Sequence, residues 1–146
     1  MSDFAMTEGE IFKGPSKTLT DAHFIMFSAV TGDTHPIHYD VEYAKKTRFK
    51  KPLAHGLLLT SLVALGASDA RERLDGLVML EQGSTFLKPV MVGDTISPRL
   101  TFEKDWTEGS HRFCRFVTEL FNQNEECVMR GFHVYRILQT TVDRSP

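Results

Sequence analysis

One segment near the start of the chain combines groups that transfer protons with a backbone that cannot form regular structure. It holds one carboxylate, Asp33, and two imidazoles, His35 and His38, within six residues. Pro36 lacks a backbone donor and disfavours helical geometry at the residue before it, while Gly32 allows a sharp turn. A rigid, irregular backbone that presents Asp33 and His38 to a common point suits general acid–base chemistry. A decorated surface turn explains the glycine, aspartate and proline equally well, so both interpretations remain open here.

The composition indicates an ordinary globular protein. Of the 146 residues, 41% are hydrophobic and 25% are charged, and the net charge is −2. This length fits one domain, so we expect residues 1–146 to form a single domain, with residues 1–9 and 140–146 as loose termini. The sequence contains no long basic run, which argues against a nucleic-acid partner.

The cysteines and the hydropathy pattern bear on the compartment. Cys114 and Cys127 are too few for a disulfide framework, and we expect both to be buried in neighbouring strands of a protein kept reduced. The longest uncharged stretch, residues 52–68, contains polar residues and is shorter than the roughly 20 residues that span a membrane. The first ten residues include three acidic ones, unlike a signal peptide. We therefore expect a cytoplasmic protein with no membrane partner.

Three helices are predicted in the first half of the chain. Thr20 is the candidate N-cap of a helix over residues 21–30, and a short helix is predicted over residues 41–47. The third and longest covers residues 53–67, a stretch without any charged residue. A helix that is apolar on all faces must be buried on all sides, so we expect a sheet to surround it.

The remaining segments predict that sheet. Strands are expected at residues 11–17, 77–80, 84–87, 95–106, 111–121 and 127–138. The last three are long and separated by turn-forming residues, which predicts an antiparallel meander. Segment 111–121 carries apolar residues on both faces, namely Cys114, Phe116 and Leu120 on one and Phe113, Val117 and Phe121 on the other. We expect one face to pack on the helix and the other on a second subunit.

Two motifs together resemble a known family. The first is GDTHPIHYD at residues 32–40, and the second is RFKKPLAHGLL at residues 48–58. In this order they resemble the MaoC-like, (R)-specific enoyl-CoA hydratase family, and STFLKPV with VGD, over residues 84–94, is similar to that family's sheet. The resemblance covers nearly the whole chain. It implies an α+β fold: a single hot-dog domain in which an antiparallel sheet of about five strands wraps a long central apolar helix.

The resemblance also implies an activity and its residues. The family adds water to 2-enoyl thioesters of coenzyme A, or removes it from the (R)-3-hydroxy thioester, with no metal and no separate cofactor. By position, the family's catalytic pair falls on Asp33 and His38, and the glycine whose N–H holds the thioester carbonyl falls on Gly56. His35 stands where the family usually has Asn. A family serine falls on Ala64 rather than on a hydroxyl.

Other residues receive supporting roles. His35, His55, Leu57 and Ser61 are expected to support the site or to line the substrate. Which of Asp33 and His38 acts as acid and which as base stays open. The basic residues Arg48, Lys50 and Lys51 either contact the phosphates of coenzyme A or form a solvated face.

Three alternative functions can be weighed against the hydratase. A hot-dog thioesterase usually has a carboxylate on the central helix, and residues 52–68 contain none. A non-catalytic acyl-thioester-binding subunit is kept open by His35 in place of Asn. A metal site from Asp33, His35, His38 and His55 is disfavoured, because these residues lack the helical spacing of a familiar zinc motif.

The expected partners follow from the same reasoning. The substrate is an acyl-CoA thioester, with acyl carrier protein as an open alternative. Apolar side chains on an exposed sheet face and edge would form a large patch on a monomer, so we expect a homodimer or a dimer-based oligomer.

Overall fold

The computed structural model describes residues 5–138. Its α-helices are α1 (Asp21–Thr31), α2 (Val41–Lys45) and α3 (Gly56–Ser61), and 3₁₀ helices cover Pro36–His38, Leu65–Ala67 and Arg71–Arg73. Its strands are β1 (Ile11–Lys13), β2 (Lys17–Thr18), β3 (Leu77–Phe86), β4 (Thr95–Glu108), β5 (His111–Phe121) and β6 (Cys127–Ile137). None of the helices in this part of the chain is long and apolar enough to cross a membrane.

The strands form one antiparallel sheet in the order β1-β4-β5-β6-β3, and the two-residue β2 also pairs with β4. The predicted meander is confirmed as β4, β5 and β6, and β5 has the predicted bounds. The two predicted segments at 77–80 and 84–87 are one strand, β3, with an irregularity between Met79 and Glu81. Because β3 pairs only with β6, it forms one edge of the sheet.

The inner face of the sheet covers the core. Cys114, Phe116 and Leu120 are fully buried on the predicted face of β5. They join the side chains of α3 and α1, including Leu58, Leu59 and Phe24, in one hydrophobic cluster. Burial of the Cys114 thiol raises its pKa to about 12, so it is an inert apolar side chain, as expected.

The outer face of the sheet differs from the expectation of a bare apolar surface. The guanidinium carbon of Arg99 lies 4.0 Å from the ring centroid of Phe121, and that of Arg115 lies 4.1 Å from the ring centroid of Phe132. Arginine over an aromatic face shields the ring while the charge stays hydrated. Arg99 and Arg115 therefore cover the rings of Phe121 and Phe132 on this face.

The prediction of a long central helix was wrong. The helix α3 ends after six residues at Ser61, and Ala64 is extended, with φ −97° and ψ 118°. The Ser61 hydroxyl donates to the Leu58 carbonyl at 2.7 Å, which competes with the helical backbone pattern. A helix through Gly66 would also cost about 1 kcal/mol relative to alanine. Val63 and Leu65 are nevertheless buried, so the apolar stretch reaches the core through tight turns instead.

The described part of the N-terminal segment is attached rather than loose. The N–H of Gly9 donates to the Phe102 carbonyl at 2.8 Å, and Met6 packs against the core. A guanidinium nitrogen of Arg73 donates to the Ala5 carbonyl. Residues 5–9 are therefore held against β4 and Arg73. The expected loose tail at 140–146 lies outside the described residues.

Candidate active site

The segment between α1 and α2 is shaped by its own short-range hydrogen bonds. Helix α1 begins after Thr20, as predicted, and ends at Gly32, which has φ 78° and donates its N–H to Ser28. Glycine suits this left-handed conformation because it has no Cβ. The next residue, Asp33, donates its N–H to the Thr31 hydroxyl at 3.2 Å. These contacts place the Asp33 carboxylate at the start of the loop, with its side chain 53% exposed.

His38 ends the 3₁₀ helix Pro36–His38 and faces Asp33. Its Nδ1 lies 2.6 Å from the Leu53 carbonyl, and its Nε2 lies 3.9 Å from Asp33 Oδ2. A carbonyl oxygen can only accept, so Nδ1 carries the proton and Nε2 of the neutral ring is an acceptor. The imidazole side chain is 11% exposed. The predicted pair is therefore brought together, with both facing atoms able to accept a hydrogen bond.

The 3.9 Å separation of these two atoms is chemically informative. It exceeds the reach of a direct hydrogen bond. Two acceptors at this distance can, however, both accept from one water molecule, which has two donors to offer. The arrangement can therefore hold and deprotonate a single water. It equally allows an ion pair when His38 is protonated.

His55 packs against His38 in this site. Its ring stacks on that of His38, with centroids 3.6 Å apart and planes 18° apart. It is 2% exposed, and its Nε2 lies 3.0 Å from the Ser28 hydroxyl and 3.4 Å from the Asp33 carbonyl. Burial and the nearby His38 lower the pKa of His55, so it is a neutral imidazole near pH 7. His55 therefore supports the loop, as expected, through stacking and hydrogen bonds.

Ser28 was not predicted as a site residue. It lies on the buried face of α1, four residues after the fully buried Phe24. A hydroxyl at helical spacing from a core residue is a detectable signal, because a buried polar group requires a partner. Its partner, His55, is 27 residues away in the sequence. No local pattern indicates that pairing.

His35 does not point to a common centre with the pair. Its Nδ1 accepts the N–H of Ile37 at 3.2 Å, which caps the 3₁₀ helix Pro36–His38. Its ring is edge-on to His38, with centroids 6.3 Å apart, and to Tyr43, with centroids 5.6 Å apart. A structural role for His35, one of the predicted possibilities, is therefore the one that its contacts support.

The stacked rings of His38 and His55 are not oriented to bind one metal ion in common. Ligand atoms of Asp33, His38 and His55 lie within 4.8 Å of one another. A metal bound by imidazole sits close to the ring plane, about 2.0–2.1 Å from nitrogen. The planes of His38 and His55 are stacked and nearly parallel, so they share no such point. The fourth candidate, His35, already uses its Nδ1 for Ile37.

Gly56 follows His55 and begins α3. As the first helical residue it has a backbone N–H without an intrahelical acceptor. A Cβ at this position would lie 3.0 Å from Cζ of Phe86 and 3.2 Å from its Cε2. Glycine therefore lets the Phe86 ring approach the backbone closely. Because α3 has only six residues, the macrodipole contributes less here than a long helix would.

A cavity of about 370 Å³ opens beside Gly56. Its wall is mostly apolar, and it includes two basic side chains, Arg48 and Lys88. Phe86 is 48% exposed at this opening. The lining residues are Arg48, Phe49, Leu53, Ala54, Gly56, Leu59, Phe86, Leu87, Lys88, Pro89 and Val90.

Leu57 and Ser61 are the other two predicted supporting residues. Leu57 is 66% exposed and does not line this cavity. The hydroxyl of Ser61 is bonded to the Leu58 carbonyl within α3. His55 contacts both His38 and Asp33, and Gly56 directly follows it in the chain and lines the cavity, whose lining does not include Asp33 or His38.

Comparison with known proteins identifies the family. The sequence model of the MaoC like domain matches residues 3–113. The chain belongs to the MaoC-like domain family. An (R)-specific enoyl-CoA hydratase from Aeromonas caviae is 29% identical over 122 residues, which cover 84% of this chain and 89% of that protein. The solved (R)-hydratase of A. caviae superimposes with a TM-score of 0.80 at 26% identity, covering 92% of this MaoC-like chain and 98% of that one.

Two further comparisons bear on length and fold. The (R)-specific enoyl-CoA hydratase of Rhodospirillum rubrum is 30% identical over 86 residues, and the match spans only 59% of each chain. A Mycobacterium tuberculosis protein with a double hot-dog fold superimposes with a TM-score of 0.77 at 16% identity, covering 97% of this chain and 45% of that one. The MaoC-like chain therefore has the predicted hot-dog fold, with a much shorter central helix.

Proposed function

We propose that this protein hydrates enoyl thioesters and, in reverse, dehydrates the corresponding (R)-3-hydroxyacyl thioesters. The observation that carries the proposal is the Asp33–His38 pair, whose facing atoms lie 3.9 Å apart. That spacing fits one water molecule bound by both side chains. The A. caviae and R. rubrum relatives, both (R)-specific enoyl-CoA hydratases by name, support the same reaction.

In the proposed reaction, Asp33 and His38 take up one proton and release one proton. One proton leaves the water for Asp33 or His38 Nε2 as the water oxygen adds to C3 of the substrate. One proton then leaves the pair for C2, so the pair returns to its starting protonation state. Negative charge develops on the thioester oxygen between these steps. We assign the stabilisation of that charge to the backbone N–H of Gly56, which has no intrahelical acceptor because Gly56 is the first residue of α3.

The Nδ1 contact of His38 supports its share in this mechanism. Because Nδ1 donates to the Leu53 carbonyl, the ring has one orientation and one neutral tautomer. A fixed ring loses little freedom when the substrate binds, which favours catalysis by positioning. Asp33 and His38 remain interchangeable as acid and base in this proposal.

The cavity beside Gly56 is the proposed entrance for the thioester arm. Its apolar lining suits the pantetheine chain, and the basic side chains Arg48 and Lys88 suit phosphate groups. Coenzyme A and acyl carrier protein both present a phosphopantetheine thioester. The proposal therefore covers both carriers, and neither a metal nor a separate cofactor takes part.

A homodimer is part of the proposal, and the proposed interface lies at the sheet edge rather than on the outer sheet face. The edge strand β3 has an unpaired backbone side, and its residues Val78, Met79 and Leu80 are 45%, 47% and 52% exposed. An exposed apolar edge strand favours pairing with another strand. A cytoplasmic location is also proposed, since Cys114 and Cys127 are both free thiols.

The first experiment is hydration of crotonyl-CoA, followed as loss of the enoyl-thioester absorbance. Wild type is compared with Asp33→Asn and His38→Gln, which keep side-chain size but remove the proton-transfer groups. Each is expected to lower kcat by about 10²-fold or more. His111→Gln, an exposed strand residue, is the matched control and retains wild-type rates. A wild type inactive on crotonyl-CoA and on longer enoyl-CoAs would favour the binding-subunit alternative.

A further inference from the structure

His35 occupies the N-cap of the turn that carries His38. Its φ of −61° and ψ of 130° are extended, and its Nδ1 accepts the Ile37 N–H at 3.2 Å. Asparagine, aspartate, serine and threonine are the usual residues for this position, because a short side-chain oxygen reaches the same N–H. Histidine does so here with a ring nitrogen.

The His35 side chain accepts a hydrogen bond from the Ile37 N–H, which no backbone carbonyl of the turn accepts. Pro36 has no N–H, and the N–H of His38 donates to the His35 carbonyl at 3.2 Å. Of the three residues in the turn, Ile37 thus depends on the His35 side chain. Since the Ile37 carbonyl accepts the Leu53 N–H at 3.0 Å, this residue also ties the turn to the segment before α3.

His35 contacts both members of the proposed pair. Its N–H donates to Asp33 Oδ1 at 3.4 Å, and its carbonyl accepts from His38. Its ring meets the His38 ring edge-on and is held against Tyr43 of α2. A change at this cap would therefore shift Asp33 and His38 relative to each other.

We propose that His35 is a positioning residue whose Nδ1, as the cap of the 3₁₀ helix Pro36–His38, holds His38 at its working distance from Asp33. The inference rests on the proposed hydratase function for its kinetic consequences. Its structural consequence, protection of the Ile37 N–H, does not depend on any activity.

Two substitutions separate the cap from the ring. His35→Asn keeps an acceptor suited to an N-cap but loses the ring, whereas His35→Phe keeps a ring against Tyr43 but loses the acceptor. The Asn variant is expected to keep kcat within about threefold of wild type. The Phe variant is expected to lose about tenfold or more in kcat with KM nearly unchanged, because misplacement of catalytic groups acts on the chemical step.

His23 offers a matched control. Its Nδ1 also accepts a backbone N–H, that of Thr20 at 2.9 Å, at the start of α1. His23→Phe removes the same kind of cap away from the pair, so it is expected to leave kcat unchanged. A loss of kcat in that variant equal to the loss in His35→Phe would overturn the positioning role.

The closing experiment combines crotonyl-CoA kinetics with amide hydrogen exchange at Ile37 in wild type, His35→Asn and His35→Phe. Slow exchange in the first two and fast exchange in the third, alongside the kinetic pattern above, supports the proposal. Unchanged exchange in His35→Phe overturns it, as does an Asn variant as impaired as the Phe variant. If wild type shows no hydration, the proposed function fails, and the exchange pattern alone decides whether His35 is the cap.

Discussion

The rings of His55 and His38 are stacked, with centroids 3.6 Å and planes 18° apart. His55 is enclosed on its other sides by Phe27 and Phe24, at centroid distances of 4.9 Å and 6.2 Å. Burial therefore holds His55 neutral and fixed, and it forms a rigid surface behind His38. The stacking thus leaves the Nε2 edge of His38 free to face Asp33.

Acid should destabilise the fold through buried histidines. Burial lowers the folded-state pKa of His133 from 6.5, and His55 shifts in the same direction. The unfolded chain then binds more protons than the folded one as pH falls below about 6.5. The contribution of these histidines to the free energy of unfolding is therefore fully present above about pH 6.5. It is lost progressively as the pH falls from there to the lowered folded-state pKa values. Urea unfolding at pH 7 and pH 5 measures this decline.

A pair of variants isolates His133. Its Nδ1 lies 3.1 Å from the Tyr135 hydroxyl, so His133→Gln can keep a hydrogen bond without titrating. This variant should show a smaller loss of stability between pH 7 and pH 5 than wild type. His111→Gln removes an exposed histidine and should keep the wild-type decline. An equal decline in all three proteins would contradict the assignment.

Adding a methyl group at Gly56 should impair the reaction more than the fold. The new Cβ would lie 3.0 Å from Phe86, whose half-exposed ring can move by a few tenths of an ångström. Gly56→Ala should therefore cost at most about 1–3 kcal/mol of stability. We expect kcat/KM to fall about tenfold or more, because the methyl group crowds the proposed oxyanion donor.

Gly66 provides the comparison for that change. A Cβ there meets no atom within 4 Å, and its φ is not in the left-handed region. Gly66→Ala should be neutral or stabilising by about 0.4–1 kcal/mol, with wild-type kinetics. Thermal unfolding and crotonyl-CoA hydration are measured for Gly56→Ala and Gly66→Ala. Equal losses of kcat/KM in the two variants would rule out a local effect at Gly56.

Charge at the cavity should govern substrate affinity. Lys88 lines the cavity and forms an ion pair with Glu126, whose pKa that contact lowers. Lys88→Gln should raise KM severalfold with little change in kcat, and the rise should shrink at high salt. Glu126→Gln frees the lysine and should lower KM. Lys45→Gln, remote on α2 and paired with Glu42, is the control. If KM changes neither in Lys88→Gln nor in Glu126→Gln, Lys88 does not take part in substrate binding.

Assembly should depend on the β3 edge. Leu80→Lys places a charge among the exposed apolar residues of that edge, which disfavours strand pairing. Sedimentation velocity at micromolar concentration should show a dimer for wild type and a shift to monomer for the variant. Ile11→Lys alters an equally exposed residue at the opposite edge and should keep the dimer. A monomeric wild type would contradict the proposed interface.

Short-range features of the sequence predicted much of this structure. Asp33 and His38 are five residues apart around a proline, so the loop alone brings them together. Strand β5 has its predicted bounds because turn-forming residues flank a continuous run of β-prone ones. The two quoted motifs also identified the family, which the match over residues 3–113 confirmed.

Contacts between distant residues decided the rest. The stacking of His55 on His38, the bond from Ser28 to His55 and the approach of Phe86 to Gly56 join segments separated by 17 to 30 residues. The helix after Gly56 is short because the core accepts Val63 and Leu65 from tight turns as readily as from a helix. Burial energy depends on where an apolar side chain ends up rather than on its backbone conformation, so hydropathy located the core segment but not its form.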